Sequence, residues 1–184
     1  WDYDVASPPL LTTIERNGRK IDVVLQTTKT GQLFVLDRDN GKPVFPVEER
    51  TVPKSNVAAE RASPTQPFNT VIPPLSPQRF SMDSIFGFTP DDVKSCREQM
   101  TSLRNEGVFT PPDLGGTLVI PSNVGGAHWG GLAFDSNRGI AVVAVNRLAA
   151  MVQLIPIDQY DTAQARSNAS RLGDDYTRMH GTPY

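Results

Sequence analysis

Thiol and imidazole ligands are scarce: this chain of 184 residues holds one cysteine, Cys96, and two histidines, His128 and His180. A lone cysteine closes no internal disulfide, and neither CxxC nor CxxCH occurs, so structural zinc and covalently attached haem have no support. Two histidines make no His-rich metal site, and no Ser-His-Asp spacing is evident. Clustered positive charge is missing too. With 18 basic against 20 acidic residues the net charge is −2, which argues against a nucleic-acid partner. No run of about 18 apolar residues occurs, so nothing here reads as a membrane-spanning helix. There is no signal peptide, but the chain opens on Trp1 rather than Met. That start reads as a cut, with room upstream for a signal or an anchor.

Proline is plentiful. Its 16 copies, several in pairs such as Pro73-Pro74 and Pro111-Pro112, predict long irregular connections between short elements. Within residues 1–50, Leu10–Arg16, Lys20–Gln26, Gln32–Leu36 and an edge-like Pro43–Val47 read as strands. Turns at Asn17-Gly18, Thr30-Gly31 and Asn40-Gly41 separate them. Four short antiparallel strands in that length make one propeller blade. Residues 115–158 repeat the pattern with Gly116–Pro121, Gly131–Asp135, Ile140–Asn146 and Met151–Ile157, the middle pair joined by Ser136–Gly139. Between them, residues 51–114 read as an inserted loop and one helix over about 90–105. Thr89 is placed to cap it, Pro90 sits at its first position, and Asp91 and Asp92 fill its first turn. Phe88 and Val93 occupy staple positions, and Val93, Cys96, Met100 and Leu103 share one face. Residues 159–184 read as an irregular connection to a further blade. The acidic pairs Glu48-Glu49 and Asp174-Asp175 read as solvated. Asn123-Val124-Gly125-Gly126 lacks the Lys-Ser/Thr and the following helix of a phosphate loop.

An ordered set of motifs runs nearly the whole length: Trp1-Asp2-Tyr3-Asp4, Thr28-Lys29-Thr30-Gly31, Phe34–Gly41, Pro64–Phe68, Glu106–Pro112, Gly116–Pro121, His128-Trp129-Gly130-Gly131 and Gly181–Tyr184. The set resembles the pyrroloquinoline-quinone (PQQ) dependent dehydrogenases, with most likeness to the membrane-bound quinoprotein glucose dehydrogenases. That resemblance implies a mainly β fold, about two blades of an eight-bladed β-propeller with a helical insertion. It also implies PQQ and a Ca²⁺ or Mg²⁺ on the propeller axis, with the metal ligands mostly outside these residues. Two blades do not close a ring, so exposed strand edges and self-association through them are expected.

The resemblance assigns roles residue by residue. Asp2 matches the base that takes the substrate hydroxyl proton while hydride passes to the quinone; Asp4 is its rival, and a surface turn is the plain alternative for either. Lys29, 27 residues after Asp2, matches the cation that bonds the quinone oxygens at C4 and C5, where reduction builds negative charge. Asn146 resembles an Asn donating its amide to a quinone oxygen, or is simply a turn residue at a strand end. Trp129 is placed either near the cofactor or as packing between blades. The residues that sandwich the quinone in the family are absent, so the isolated chain is expected to be inactive. The parent protein is expected to oxidise an aldose or an alcohol in the periplasm. Electrons pass on to ubiquinone or a cytochrome, and any membrane anchor lies upstream. The competing expectation is a non-catalytic PQQ-like-repeat propeller, a binding or assembly scaffold that needs neither an axial base nor a cation.

Overall fold

The computed structural model describes residues 1–162 and 176–184; the pair Asp174-Asp175 lies outside the described residues. Among these residues the elements follow in the order β1 (Leu10–Arg16), β2 (Arg19–Thr27), β3 (Leu33–Asp37), β4 (Val47–Thr51), β5 (Thr65–Asn69), α1 (Pro90–Thr101), β6 (Thr117–Val119), β7 (Leu132–Asp135), β8 (Ile140–Val143) and β9 (Ala150–Val152). The fold is mainly β, as the sequence patterning requires, and every named strand pair is antiparallel.

Strands β1, β2 and β3 form a meander in that order. Asn17 and Gly18 both adopt positive φ (53° and 71°), and Arg16 faces Arg19, the geometry of a two-residue hairpin matched to strand twist. Alternation places Val23, Leu25 and Thr27 of β2 and Leu33 and Val35 of β3 in the interior. Burial of such a side chain stabilises by about 1.5–3 kcal/mol. Leu132 and Phe134 of β7 pack against this cluster from the second half of the chain, together with Val44, Phe45, Ile72 and Leu75.

The fourth strand of the first unit does not form as the sequence suggests. Pro43 and Pro46 carry no N–H, so the segment makes only a bridge, Leu36 to Pro43, with Val44 N donating to Val35 O at 2.8 Å. The chain becomes a strand only at Val47, and β4 pairs with β5 in a separate two-stranded sheet. β5 lies inside the stretch that reads as a loop, because Pro67 is a strand breaker except at an edge.

The helix is capped as its sequence dictates. Thr89 Oγ1 accepts from Asp92 N and the Asp92 carboxylate accepts from Thr89 N, a capping box. Val93, Cys96 and Met100 are its half-buried positions. Phe88 does not act as a staple: it is 93% exposed and meets Phe86 edge-on. The helix stops at Thr101, short of Leu103, because the backbone at Arg104 is taken by β6, with Arg104 N on Gly116 O and Leu118 N on Arg104 O.

The second unit pairs as β6 with β9 and β7 with β8, two separate ribbons. The cause lies after β6. There Gly126 N donates to Lys29 O at 2.6 Å and Ala127 N to Thr28 O, so this backbone is spent on the β2–β3 turn rather than on a neighbouring strand.

Candidate active site

The β2–β3 turn is Thr28-Lys29-Thr30-Gly31, closed by Gly31 N on Thr28 O and Thr28 N on Gln32 O, and stiffened by a 2.8 Å hydrogen bond between the Thr28 and Thr30 hydroxyls. All four residues are buried. Gly31 has φ +77°, and a Cβ there would strike the Ser76 hydroxyl. Lys29 thus leaves the turn with its stem enclosed and its side chain 8% exposed. Long cationic side chains are seldom buried to this extent without a partner.

Two carboxylates supply one. The opening residues alternate: Trp1 and Tyr3 lean onto Phe109, while Asp2 and Asp4 turn to Lys29. Trp1 Nε1 donates to Phe109 O at 2.7 Å, Tyr3 OH donates to Pro121 O at 2.8 Å, and both rings meet Phe109 edge-on at 5.5 and 5.7 Å. Phe68 completes this aromatic cluster at 5.8 Å. On the other side, Lys29 Nζ stands 3.1 Å from Asp2 Oδ1 and 2.5 Å from Asp4 Oδ1, with both carboxylates 63% exposed. Burial pushes the Lys29 ammonium toward losing its proton. Hydrogen bonds to Asp4 and then Asp2 outweigh that, so its pKa lies above the ordinary lysine value. The hydrogen bond from Lys29 holds the Asp4 carboxyl below the usual carboxylate range. Burial pushes the Tyr3 phenol up, so it stays a proton donor to Pro121 O.

Gly125 and Gly126 form the wall behind Lys29. A Cβ on Gly125 would lie 2.7 Å from Lys29 Cβ and 2.8 Å from its Cα, and one on Gly126 would strike the Ser76 hydroxyl. Asn146 ties the wall down: its backbone N–H donates to Gly126 O at 2.8 Å and its Nδ2 to Gly125 O at 3.2 Å. In the resulting cluster Asp2 touches Lys29 directly, while Asn146 reaches Lys29 only through the backbone of Gly125 and Gly126. Trp129 is not joined to it by any side-chain hydrogen bond or ring contact among the described residues; its indole is 74% exposed, 4.5 Å from the His128 ring. Among the described residues, no group of three or more His, Cys, Asp or Glu is placed to hold a metal ion, and no helix is long and apolar enough to cross a membrane.

The sequence excludes Asn123-Val124-Gly125-Gly126 as a phosphate loop and offers its glycines no other use. The missed signal was two adjacent glycines at a place where no hairpin needs them, which marks close backbone approach. Ser76, whose buried hydroxyl has no partner among the described residues, carries no signal at all.

All of residues 1–184 match the PQQ family described as glucose/ethanol/alcohol dehydrogenase, β-propeller domain. The quinoprotein glucose dehydrogenase of Escherichia coli (strain K12) is 36% identical over 187 residues, covering 100% of this chain and 23% of that protein. Quinoprotein glucose dehydrogenase A of Acinetobacter calcoaceticus is 36% identical over 191 residues, with 100% and 23% covered. The quinate/shikimate dehydrogenase (quinone) of Acinetobacter baylyi is 32% identical over 187 residues, again with 100% and 23% covered. The chain spans about a quarter of the length of these curated relatives. A match over every residue, with an antiparallel β fold to go with it, shows that the chain belongs to the PQQ-dependent glucose/ethanol/alcohol dehydrogenase β-propeller family.

Proposed function

We propose that these residues contribute the proton-accepting and cationic part of the active site of a quinoprotein dehydrogenase that oxidises an aldose or an alcohol. The observation that carries this reading is the convergence of Asp2 and Asp4 on the buried ammonium of Lys29, at 3.1 and 2.5 Å. A scaffold propeller has no use for an enclosed cation facing a half-open carboxylate, whereas hydride removal from a carbinol needs both charges close together. PQQ, when bound, supplies the hydride acceptor.

The residues present fit such a group. An ammonium has three hydrogens, of which one bonds Asp2 and a second is drawn to Asp4 by their ion pair. The third is left for an anionic acceptor such as a quinone oxygen. Asn146 likewise uses one amide hydrogen on Gly125 O and has a second to offer. Lys29 would hold the cofactor oxygens and Asn146 would bound the same space, whereas Trp129, exposed beside His128, is not joined to it. Asp2, 63% exposed, is reachable by a substrate hydroxyl and takes its proton. Lys29 stays protonated throughout, because its carboxylate partners raise its pKa despite burial. The Ca²⁺ or Mg²⁺ implied by the family would take its ligands mostly from outside these residues, since no group of three or more His, Cys, Asp or Glu is placed for it among the described residues.

The substrate is an aldose of the glucose type or an alcohol. The relatives named for glucose and for quinate or shikimate support a hydroxylated ring. On this reading the chemistry takes place in the periplasm, and the electrons leave to ubiquinone or a cytochrome. The test is Asp2→Asn in the full-length protein loaded with PQQ and Ca²⁺ or Mg²⁺, assayed by dye-linked glucose oxidation. Loss of a general base lowers the rate by about 10²–10⁴-fold. An undiminished rate would overturn the assignment of Asp2.

A further inference from the structure

Lys29 has two carboxylate partners, and the nearer is not the proposed base. Asp4 Oδ1 lies 2.5 Å from Nζ, against 3.1 Å for Asp2 Oδ1. Both are equally exposed, so burial does not separate them; geometry does. Neither end of the Asp4 contact is free to drift. The Lys29 stem is held against Gly125, where not even a methyl group fits. Tyr3, the residue before Asp4, is fixed by its hydrogen bond to Pro121 O and by its ring on Phe109. Gly125 and Gly126, which pack on Lys29 from the second unit, carry no charge.

Two carboxylates around one ammonium leave one negative charge uncompensated. That matters for a base. A carboxylate in full contact with an ammonium is stabilised in its charged form and becomes a weaker proton acceptor. Its capacity to take a proton in the transition state falls with it. A second carboxylate that takes the shorter bond relieves the first of this. We infer that Asp4 is a positioning residue: it anchors the Lys29 ammonium by the shorter contact, so that Asp2 is left open to the substrate and Lys29 keeps its place beside the acceptor. The inference rests on Asp2 as base and Lys29 as quinone contact for its catalytic meaning, but the anchoring itself does not.

Anchoring is therefore tested first and without turnover. The full-length protein and its Asp4→Asn, Asp2→Asn and Asp4→Glu variants are trace-acetylated from about pH 8 to about pH 10.5, across the ordinary lysine range. Modification of Lys29 is read by peptide mass spectrometry. In Asp4→Asn the Lys29 profile moves to lower pH, and by more than in Asp2→Asn. Asp4→Glu, which keeps the charge, restores most of the original profile; simple loosening of the N-terminal segment would not be rescued in this way. A displacement in Asp2→Asn equal to or larger than in Asp4→Asn overturns the inference. The pH profile of kcat/KM supplies the second readout. With Asp4 removed, Lys29 falls to Asp2 alone, so the acid limb moves to lower pH and kcat drops several-fold. An acid limb that stays in place overturns the relief of Asp2. Failure of the base assignment shows separately, as full activity in Asp2→Asn with the acetylation order unchanged.

Discussion

Replacing Gly125 by alanine measures how firmly the wall behind Lys29 holds it. The residue has φ +89°, a conformation that costs an L-residue about 1–2 kcal/mol. The new methyl group would also sit 2.7 Å from Lys29 Cβ and 2.8 Å from Lys29 Cα. Those atoms are the root of the side chain and the backbone itself, so they have no free rotation by which to yield. Overpacking of this kind costs about 1–3 kcal/mol. Together the two effects predict a loss of about 2–5 kcal/mol. Gly139 is the internal control: its φ is +66° and nothing lies within 4 Å of an added Cβ, so Gly139→Ala carries the backbone cost alone. Urea unfolding followed by circular dichroism gives both values. The difference of about 1–3 kcal/mol displaces the midpoints by roughly 1 M at m-values of about 1–3 kcal/mol/M. If Gly125→Ala is no more destabilising than Gly139→Ala, the wall is not tight and the fixed position of Lys29 loses its basis.

Two further outcomes follow from the same cluster. Phe109, 7% exposed and edge-on to Trp1, Tyr3 and Phe68, is the floor under the opening residues; Phe109→Ala costs about 3–5 kcal/mol. It also frees Trp1, so in a Trp129→Phe background the remaining tryptophan emission moves to the red, and an unmoved spectrum refutes the docking. The Lys29–Asp4 contact sets a pH dependence with a definite sign. Asp4 has its folded pKa lowered, so its contribution is present above the unfolded value of about 3.9 and is lost as pH falls through the lower folded value. Lys29 has its folded pKa raised, so its contribution is full below about 10.4 and is lost as pH rises through the higher folded value. The stability difference between the chain and Asp4→Asn is therefore full at neutral pH and disappears in strong acid, which denaturant midpoints across the acid range check.

What could be read from the sequence was local. The β1–β3 meander was visible because its turns demand positive φ at Asn17-Gly18 and its strands alternate. The start of α1 was visible because Thr89 and Asp92 satisfy each other within four residues. β5 was hidden because Pro67 reads as a breaker, and only its place in a two-stranded ribbon tolerates it. The end of α1 was hidden because Arg104 is claimed by β6, a partner that no local pattern names. The motifs single out Asp2 and Lys29, and the structure brings the two side chains into contact. Asp4 showed only as a rival for the same role, since spacing cannot say which of two carboxylates lies nearer to an ammonium.

The split of the second unit into two ribbons and the making of the site are one event. After β6 the chain has a choice of where to send its donors. Continuing the sheet would pair them with a neighbouring strand; here Gly126 and Ala127 give theirs to the carbonyls of Lys29 and Thr28. Asn146 then returns after β8 to close on Gly125 and Gly126 from the far side. Blade regularity is given up over a few residues, and in exchange a turn of the first unit is clamped by backbone of the second. A lysine on an unclamped hairpin would swing into water, where an ion pair with two exposed carboxylates is worth about 0–1 kcal/mol. Clamped and enclosed, the same ammonium keeps a fixed distance to both. Opening residues, β2–β3 turn and glycine wall are far apart in sequence, so the cluster exists only when both units are folded against each other.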